Sequence, residues 1–224
     1  MVNKNAYEGI IQKLEPNNCI LVAVSKMKPP EAIKELYDLG QRDFGENYVQ
    51  ELVEKQATLP EDIRWHFIGH LQTNKVKFIA PFVSLIHGVD SLKLLKEINK
   101  QGSKSNKRID VLLQVHIARE ETKFGFDEEE LEALFNSPDL EGLQHINVSG
   151  LMGMASFSDD TEVVRKEFKN LKKLFDQFAS ITTSNCNFKF ISMGMSSDYQ
   201  TALEEGSNMV RIGSLLFGRR EMKL

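Results

Sequence analysis

Residues 20–26 read Ile20-Leu21-Val22-Ala23-Val24-Ser25-Lys26, an unbroken apolar run that ends on a primary amine and is closely followed by Pro29 and Pro30. An aliphatic, β-branched run of this length is a strand buried on both faces, the pattern of a parallel sheet covered by helices. A charge at the carboxyl end of such a strand falls where open α/β sheets and barrels carry their chemistry. A lone strand-end lysine is ordinarily a solvated surface charge, so the reading rests on what the remaining residues add.

Working outward, seven further runs share this character. The strands expected are Ile20–Ser25, Asp43–Gly45, Trp65–Ile68, Ser84–His87, Val111–Ile117, Val148–Gly153, Phe188–Ser192 and Met209–Ile212. Helical periodicity lies between them at Glu31–Leu39, Val49–Gln56, Leu92–Asn99, Glu128–Phe135 and Val163–Ala179, with one helix-like piece, Asn5–Leu14, ahead of the first strand. Eight strand-helix alternations predict an α/β fold, a (β/α)8 TIM barrel with an extra N-terminal helix. A doubly wound open sheet is the alternative, because periodicity carries no information about closure. The short polar segment Gly102–Lys107 reads as a loop.

Composition narrows the function classes. A chain of 224 residues is within the range of one closed barrel, so residues 1–224 are expected to form a single domain. A net charge of -4, with 27% charged residues of both signs, offers no basic field to nucleic acid. Two cysteines, Cys19 and Cys186, are too few for a disulfide framework or a zinc site, and the polar start Met1–Leu14 is no signal segment. With no apolar stretch approaching the ~18 residues that span a bilayer, the expectation is a cytoplasmic protein without membrane contact.

Several conspicuous residues have ordinary explanations. Phe168, Leu171, Leu174, Phe175 and Phe178 recur at the spacing of a helix facing a barrel. Asp127-Glu128-Glu129-Glu130 is an acidic first helical turn, favoured by the free amides there. His66 and His70 are four apart, but they flank a strand end and Gly69, so the helical geometry of a zinc pair is missing and no metal is expected. His87 and His116 sit near strand ends and are assigned no role. Tyr48 and Tyr199 read as rim aromatics with hydroxyls in water.

The carboxyl-terminal third carries a second constellation. Ile191-Ser192-Met193-Gly194-Met195-Ser196-Ser197-Asp198 follows the seventh strand, and Val210-Arg211-Ile212-Gly213-Ser214 closes the eighth. Loops after strands seven and eight of a barrel commonly bind phosphate through glycine, hydroxyls and the amides of a short helix. Gly194 and Gly213 are expected to leave room for an anion, and Ser196, Ser197 and Ser214 to donate to it. In a closed barrel strand one neighbours strand eight, so Lys26 and Arg211 share a cavity with this cradle at its edge. An amine, a phosphate cradle and an arginine together suggest pyridoxal 5'-phosphate (PLP). A lysine forms a Schiff base through its neutral amine, whose reference pKa of about 10.4 falls with burial and nearby positive charge. An arginine against the pyridine nitrogen disfavours protonating it and weakens the ring as an electron sink.

The chain resembles the pyridoxal phosphate homeostasis proteins, which are similar to the barrel domain of alanine racemase standing alone. The matching segments span nearly the whole chain: Ala23–Lys26, Phe44–Glu51, Trp65–Gln72, Thr122–Gly125, Gly150–Met152, Ser192–Ser196 and Val210–Gly213. The resemblance implies that Lys26 is the Schiff-base lysine, that Arg211 faces the pyridine nitrogen, that Ser196, Gly213 and Ser214 hold the phosphate and that Asn47 lies near the ring. Met27 and Gly88 depart from the pattern, where a small polar residue and a serine are common. In the resembling racemases a tyrosine from an additional β domain supplies a second base, and a chain ending at Leu224, just after strand eight, is expected to lack it.

The resulting expectation is a cytoplasmic carrier of PLP on Lys26, acting in vitamin B6 homeostasis without strong catalysis. Cofactor-free PLP enzymes are its expected acceptors, and a monomer or weak dimer its expected state. The rivals are a PLP-dependent amino-acid racemase or similar enzyme, and a sugar-phosphate barrel enzyme whose Lys26 forms a Schiff base to substrate.

Overall fold

The run that ends on Lys26 is strand β1 (Ile20–Val24), paired in parallel with β2 (Asp43–Glu46) on one side and β8 (Met209–Ile212) on the other. This second pairing, with Val22 opposite Arg211, closes the sheet and removes the open-sheet alternative. Between them β3 (Arg64–Phe67), β4 (Leu85–Val89), β5 (Ile109–Val115), β6 (Ile146–Gly153) and β7 (Cys186–Ser192) complete a closed barrel of eight strands in chain order. The structure is a computed structural model that describes residues 2–119, 124–181 and 183–218.

Helix α1 (Lys4–Leu14) is the extra element ahead of the barrel; the Asn3 side chain accepts from the Ala6 N–H, and Tyr7, Ile10 and Leu14 form its buried stripe. The barrel helices are α2 (Pro30–Asp38), α3 (Val49–Gln56), α4 (Val76–Ile79), α5 (Leu92–Lys104), α6 (Glu128–Phe135), α7 (Pro138–Glu141), α8 (Thr161–Ala179), α9 (Tyr199–Glu204) and α10 (Ser214–Phe217). The acidic run before α6 is a capping box, in which Asp127 and Glu130 each accept from the other's backbone N–H. Phe168, Leu171, Leu174 and Phe178 bury one face of α8 against the strands, and Phe175 packs at its margin. The loop expected at Gly102–Lys107 begins later than its composition suggests, because α5 continues to Lys104. A Cβ on Gly102 would lie 2.8 Å from the His145 and Lys107 carbonyl oxygens, so this glycine permits close packing and does not break the helix.

The interior of the barrel is layered. Val22, Leu85, Leu112, Met152 and Met209 form an apolar plug, with Phe190 packed against it. Side chains two residues apart on a strand share a face. One step beyond Leu85, Leu112, Phe190 and Met209, the inward positions therefore become His87, Gln114, Ser192 and Arg211, all buried. The apolar plug thus supports a polar floor facing the carboxyl ends of the strands.

Candidate functional site

Lys26 stands on a tight turn just past β1. The Lys28 N–H donates to Ser25 O at 3.0 Å, and Met27 takes a left-handed φ of 59° with an exposed side chain. Ser25 faces away from the barrel axis and donates through Oγ to Glu46 Oε1 at 2.6 Å. The buried Lys55 ammonium of α3 then donates to Ser25 O at 2.8 Å, Glu46 Oε1 at 2.7 Å and Glu51 Oε1 at 2.6 Å. Glu51 Oε1 also accepts the Met27 N–H at 2.5 Å. Lys26, on the turn that follows Ser25, is half-buried. Burial raises the pKa of Glu46, and the Lys55 charge and the hydrogen bonds from Lys55 and Ser25 oppose it.

Arg211 is buried in the polar floor. Its Nη1 donates to Ser192 O at 2.9 Å and Ser192 Oγ at 2.7 Å, and its Nη2 donates to Gly153 O at 3.0 Å. Burial lowers its pKa to about 10, with the Asp198 charge acting the other way, so it remains a cation at neutral pH. His87, which the sequence left without a role, faces Ser192 Oγ through Nδ1 at 3.1 Å. His66 does not pair with His70: it meets His87 and Asp43, whereas His70 reaches Asp90 and stacks on Phe124.

The loops after β7 and β8 meet at one bond, from the Gly213 N–H to Ser196 Oγ at 3.3 Å. Gly213 caps α10, and exposed Ser214 is the first residue of that helix. The two glycines also answer to a packing constraint. Gly194 adopts φ +96°, and a Cβ there would lie 2.6 Å from Ala202 Cβ; on Gly213 it would lie 3.2 Å from Val24 Cβ and Val24 O. At both positions the protein's packing on itself disfavours a side chain. Lys28 ties this corner to the turn carrying Lys26 by donating from Nζ to Phe217 O at 2.9 Å.

Asn47 follows β2 and lines a cleft of about 530 Å³ with Tyr48, Gly69, His70 and Lys75. Its Oδ1 is buried and, among the described residues, has no hydrogen-bond partner. A Cβ on Gly69 would lie 2.5 Å from Asn47 O, and one on Gly88 2.5 Å from Gly69 O. The departure at Gly88 is therefore matched by a close approach of these strand ends.

The structure thus brings Lys26, Asn47, Ser196, Arg211, Gly213 and Ser214 to the carboxyl ends of β1, β2, β7 and β8. One aromatic is corrected: Tyr199 is buried, with its hydroxyl accepting from Gln200, while Tyr48 is exposed as expected. Thr122 and Lys123 lie outside the described residues. Residue-by-residue reading missed Glu46, Glu51 and Lys55. Their signal was present as a carboxylate ending β2 and a Glu-Lys pair at helical i,i+4 spacing.

The sequence profile of the family described as alanine racemase, N-terminal domain, matches residues 4–221. The pyridoxal phosphate homeostasis protein of Aquifex aeolicus is 44% identical over 206 residues, covering 91% of this chain and 89% of its own. The structure of PipY from Synechococcus elongatus with PLP bound superposes with a TM-score of 0.86 at 33% identity, covering 96% of this chain and 99% of that one. Alanine racemase from Bartonella henselae shares the fold, with a TM-score of 0.73 at 18% identity over 94% of this chain and 56% of that one.

Proposed function

This chain belongs to the alanine racemase N-terminal domain family, and we propose on that footing that it holds PLP as a Schiff base on Lys26 and serves in vitamin B6 homeostasis. The observation that carries the reading is the adjacency of β1 and β8. It makes the strand that leads into the Lys26 turn a direct neighbour of the strand that carries Arg211, with the Ser196–Gly213 corner at the same end of the barrel. The 33% identical PipY, whose structure has PLP bound, supports the choice of ligand.

The donor set fits such a group. Lys26 supplies the amine, Ser196, Gly213 and Ser214 supply hydroxyls and backbone amides for a phosphate, and Asn47 offers a buried oxygen without a partner among the described residues. Bound PLP supplies an aldehyde for the amine and a conjugated ring that withdraws electrons. Arg211 is a permanent donor at neutral pH, so at the pyridine nitrogen it keeps that atom unprotonated and blunts the ring's pull on a carbanion. An opposing phenolic base is also hard to find. Of the four tyrosines, Tyr7 is buried on α1, Tyr37 donates to Asp62, Tyr199 is buried on α9, and Tyr48 alone stands exposed at the mouth. These features favour holding the cofactor over turning over amino acids.

Met27, Tyr48, Phe124 and Phe157 on the loops, and Leu215 on α10, expose apolar surface at this same end. That surface supports delivery to cofactor-free PLP enzymes by direct contact. Residues 1–224 act as one cofactor-binding unit, a monomer or weak dimer working in the cytoplasm; no described helix is long and apolar enough to cross a membrane.

The test runs two assays on one preparation saturated with PLP. A visible absorption band should be present, racemisation, transamination and decarboxylation of an amino-acid panel should be negligible, and a cofactor-free PLP enzyme should regain activity. Multiple-turnover racemisation abolished by Lys26→Ala would make the protein a racemase. Absence of the visible band would remove PLP from the reading and favour a Schiff base to a sugar phosphate.

A further inference from the structure

Arg211 is linked to the far end of the barrel by a chain of buried hydrogen bonds whose direction can be worked out atom by atom. A guanidinium only donates, so Ser192 Oγ, 2.7 Å from Nη1, accepts from it. The one hydroxyl proton of Ser192 is then available to His87 Nδ1, 3.1 Å away, and with that bond made the neutral His87 ring carries its proton on Nε2. Nε2 lies 2.9 Å from His66 Nδ1, which therefore accepts, leaving the His66 proton on Nε2. That nitrogen lies 3.0 Å from Asp43 Oδ1. The same answer follows from the other end. Burial acts upward on the Asp43 carboxyl, but hydrogen bonds from His66 and Arg64 outweigh it and hold its pKa below the ordinary value. Asp43 is thus an anion, clamped by Arg64 at 2.8 Å and 2.5 Å, and demands a proton from His66 Nε2. His87 is fully buried, and burial together with the nearby Arg211 charge keeps it neutral.

We propose that Asp43, His66, His87 and Ser192 form a one-directional relay that positions Arg211 and strengthens its acceptor, setting the electronic state of the ring that Arg211 faces. Every donor in the relay points away from Arg211 toward a carboxylate. The partial negative charge on Ser192 Oγ rises accordingly, as in any chain of mutually polarised hydrogen bonds. This holds the guanidinium charged and in one plane despite its burial, a constraint that a lone serine does not impose. Asp43 opens β2, at the opposite end of the barrel from Lys26, so its influence on the cofactor passes through the relay. The ligand half of this inference rests on the cofactor reading above; the tautomers do not.

The first measurement uses cofactor-free wild-type protein labelled with 15N-histidine. Near neutral pH both His66 and His87 should appear by NMR as neutral rings protonated on Nε2. An Nδ1-protonated ring or an imidazolium at either position would overturn the relay. The second measurement reads the dissociation constant and visible band of PLP in variants. Asp43→Asn and His87→Leu should weaken binding by about tenfold and shift the band, the loss expected when one strong buried hydrogen bond is removed. His87→Asn, whose side-chain oxygen stands where Nδ1 stands, should fall between His87→Leu and wild type. Arg64→Met removes the outer ion pair but not the His66–Asp43 bond, and should stay within about twofold of wild type. Wild-type values in both Asp43→Asn and His87→Leu, or an equal effect of Arg64→Met and Asp43→Asn, would overturn the coupling to Arg211. A wild type that takes up no PLP would instead defeat the cofactor reading, leaving the NMR result to decide the relay.

Discussion

Replacing Lys55 with methionine keeps most of the side-chain volume but removes the ammonium that ties together Ser25, Glu46 and Glu51 behind Lys26. Unit charges at the observed 2.7 Å attract by roughly 6 kcal/mol at an effective dielectric constant near 20, before the desolvation of either ion is subtracted. The loss in the variant depends more on what is left behind. Glu46 is fully buried, and its Oε2 already has no hydrogen-bond partner among the described residues. Breaking a buried pair from one side costs about 3–5 kcal/mol, a large part of a typical domain's stability. We expect a loss of that size in urea unfolding near pH 7.5, with roughly half recovered when Glu46→Gln removes the stranded charge. The pH dependence has a definite sign. The folded-state pKa of Glu46 is raised, and Lys55→Met raises it further, so the folded protein binds that proton more tightly than the unfolded chain does. Stability is then gained as pH falls through the folded pKa, and the deficit of the variant should shrink on mild acidification. A loss below about 1 kcal/mol, a deficit that grows in acid, or no recovery in the double variant would refute this account of the clamp.

Lys26→Ala should abolish the visible band and leave far-ultraviolet circular dichroism unchanged; borohydride reduction of the wild type followed by peptide mapping that placed the cofactor on Lys28 or Lys75 would displace the assignment. Pyridoxal without its phosphate should bind at least ~10-fold more weakly than PLP, since charge-assisted hydrogen bonds contribute roughly 1.5–3 kcal/mol each, and equal dissociation constants would dispose of the Ser196–Gly213 cradle. Gly213→Val should lower the melting temperature and weaken cofactor binding together, because its Cβ would start 3.2 Å from Val24; weaker binding with an unchanged melting temperature would show that the glycine serves the ligand alone. The Asp43 carboxyl is held below its ordinary pKa of 3.8, so its contribution is present above that value and lost as pH falls through the folded one. The stability gap between wild type and Asp43→Asn, measured by urea unfolding, should therefore close below about pH 4 and stay constant near neutrality.

The architecture was legible in the sequence because burial on both faces writes itself into a strand residue by residue. Each of the eight apolar runs is a strand of the barrel, and the long helices announce themselves by a period that their buried stripe requires. Four-residue helices such as α4, α7 and α10 have no room for a period, and Gly102 looked like a loop residue because a close tertiary approach and a turn ask for the same amino acid. Lys26 and Arg211 stood out for a similar reason, as charges at positions where strand burial is strongest. What the sequence by itself determined was thus the alternation of elements, and with it which residues stand at the carboxyl ends of strands. Closure belongs to the tertiary structure, since the β1–β8 pairing is a relation between the two ends of the chain. So does the support of the site. Lys55 reaches Ser25 across 30 residues and His87 reaches Ser192 across 105, and neither contact leaves a trace in local periodicity. Tertiary structure also supplied the neighbours of the glycines. Gly194 and Gly213 carry the same letters whether a phosphate or a neighbouring side chain occupies the space their missing Cβ would fill, and only the folded chain shows Ala202 and Val24 there.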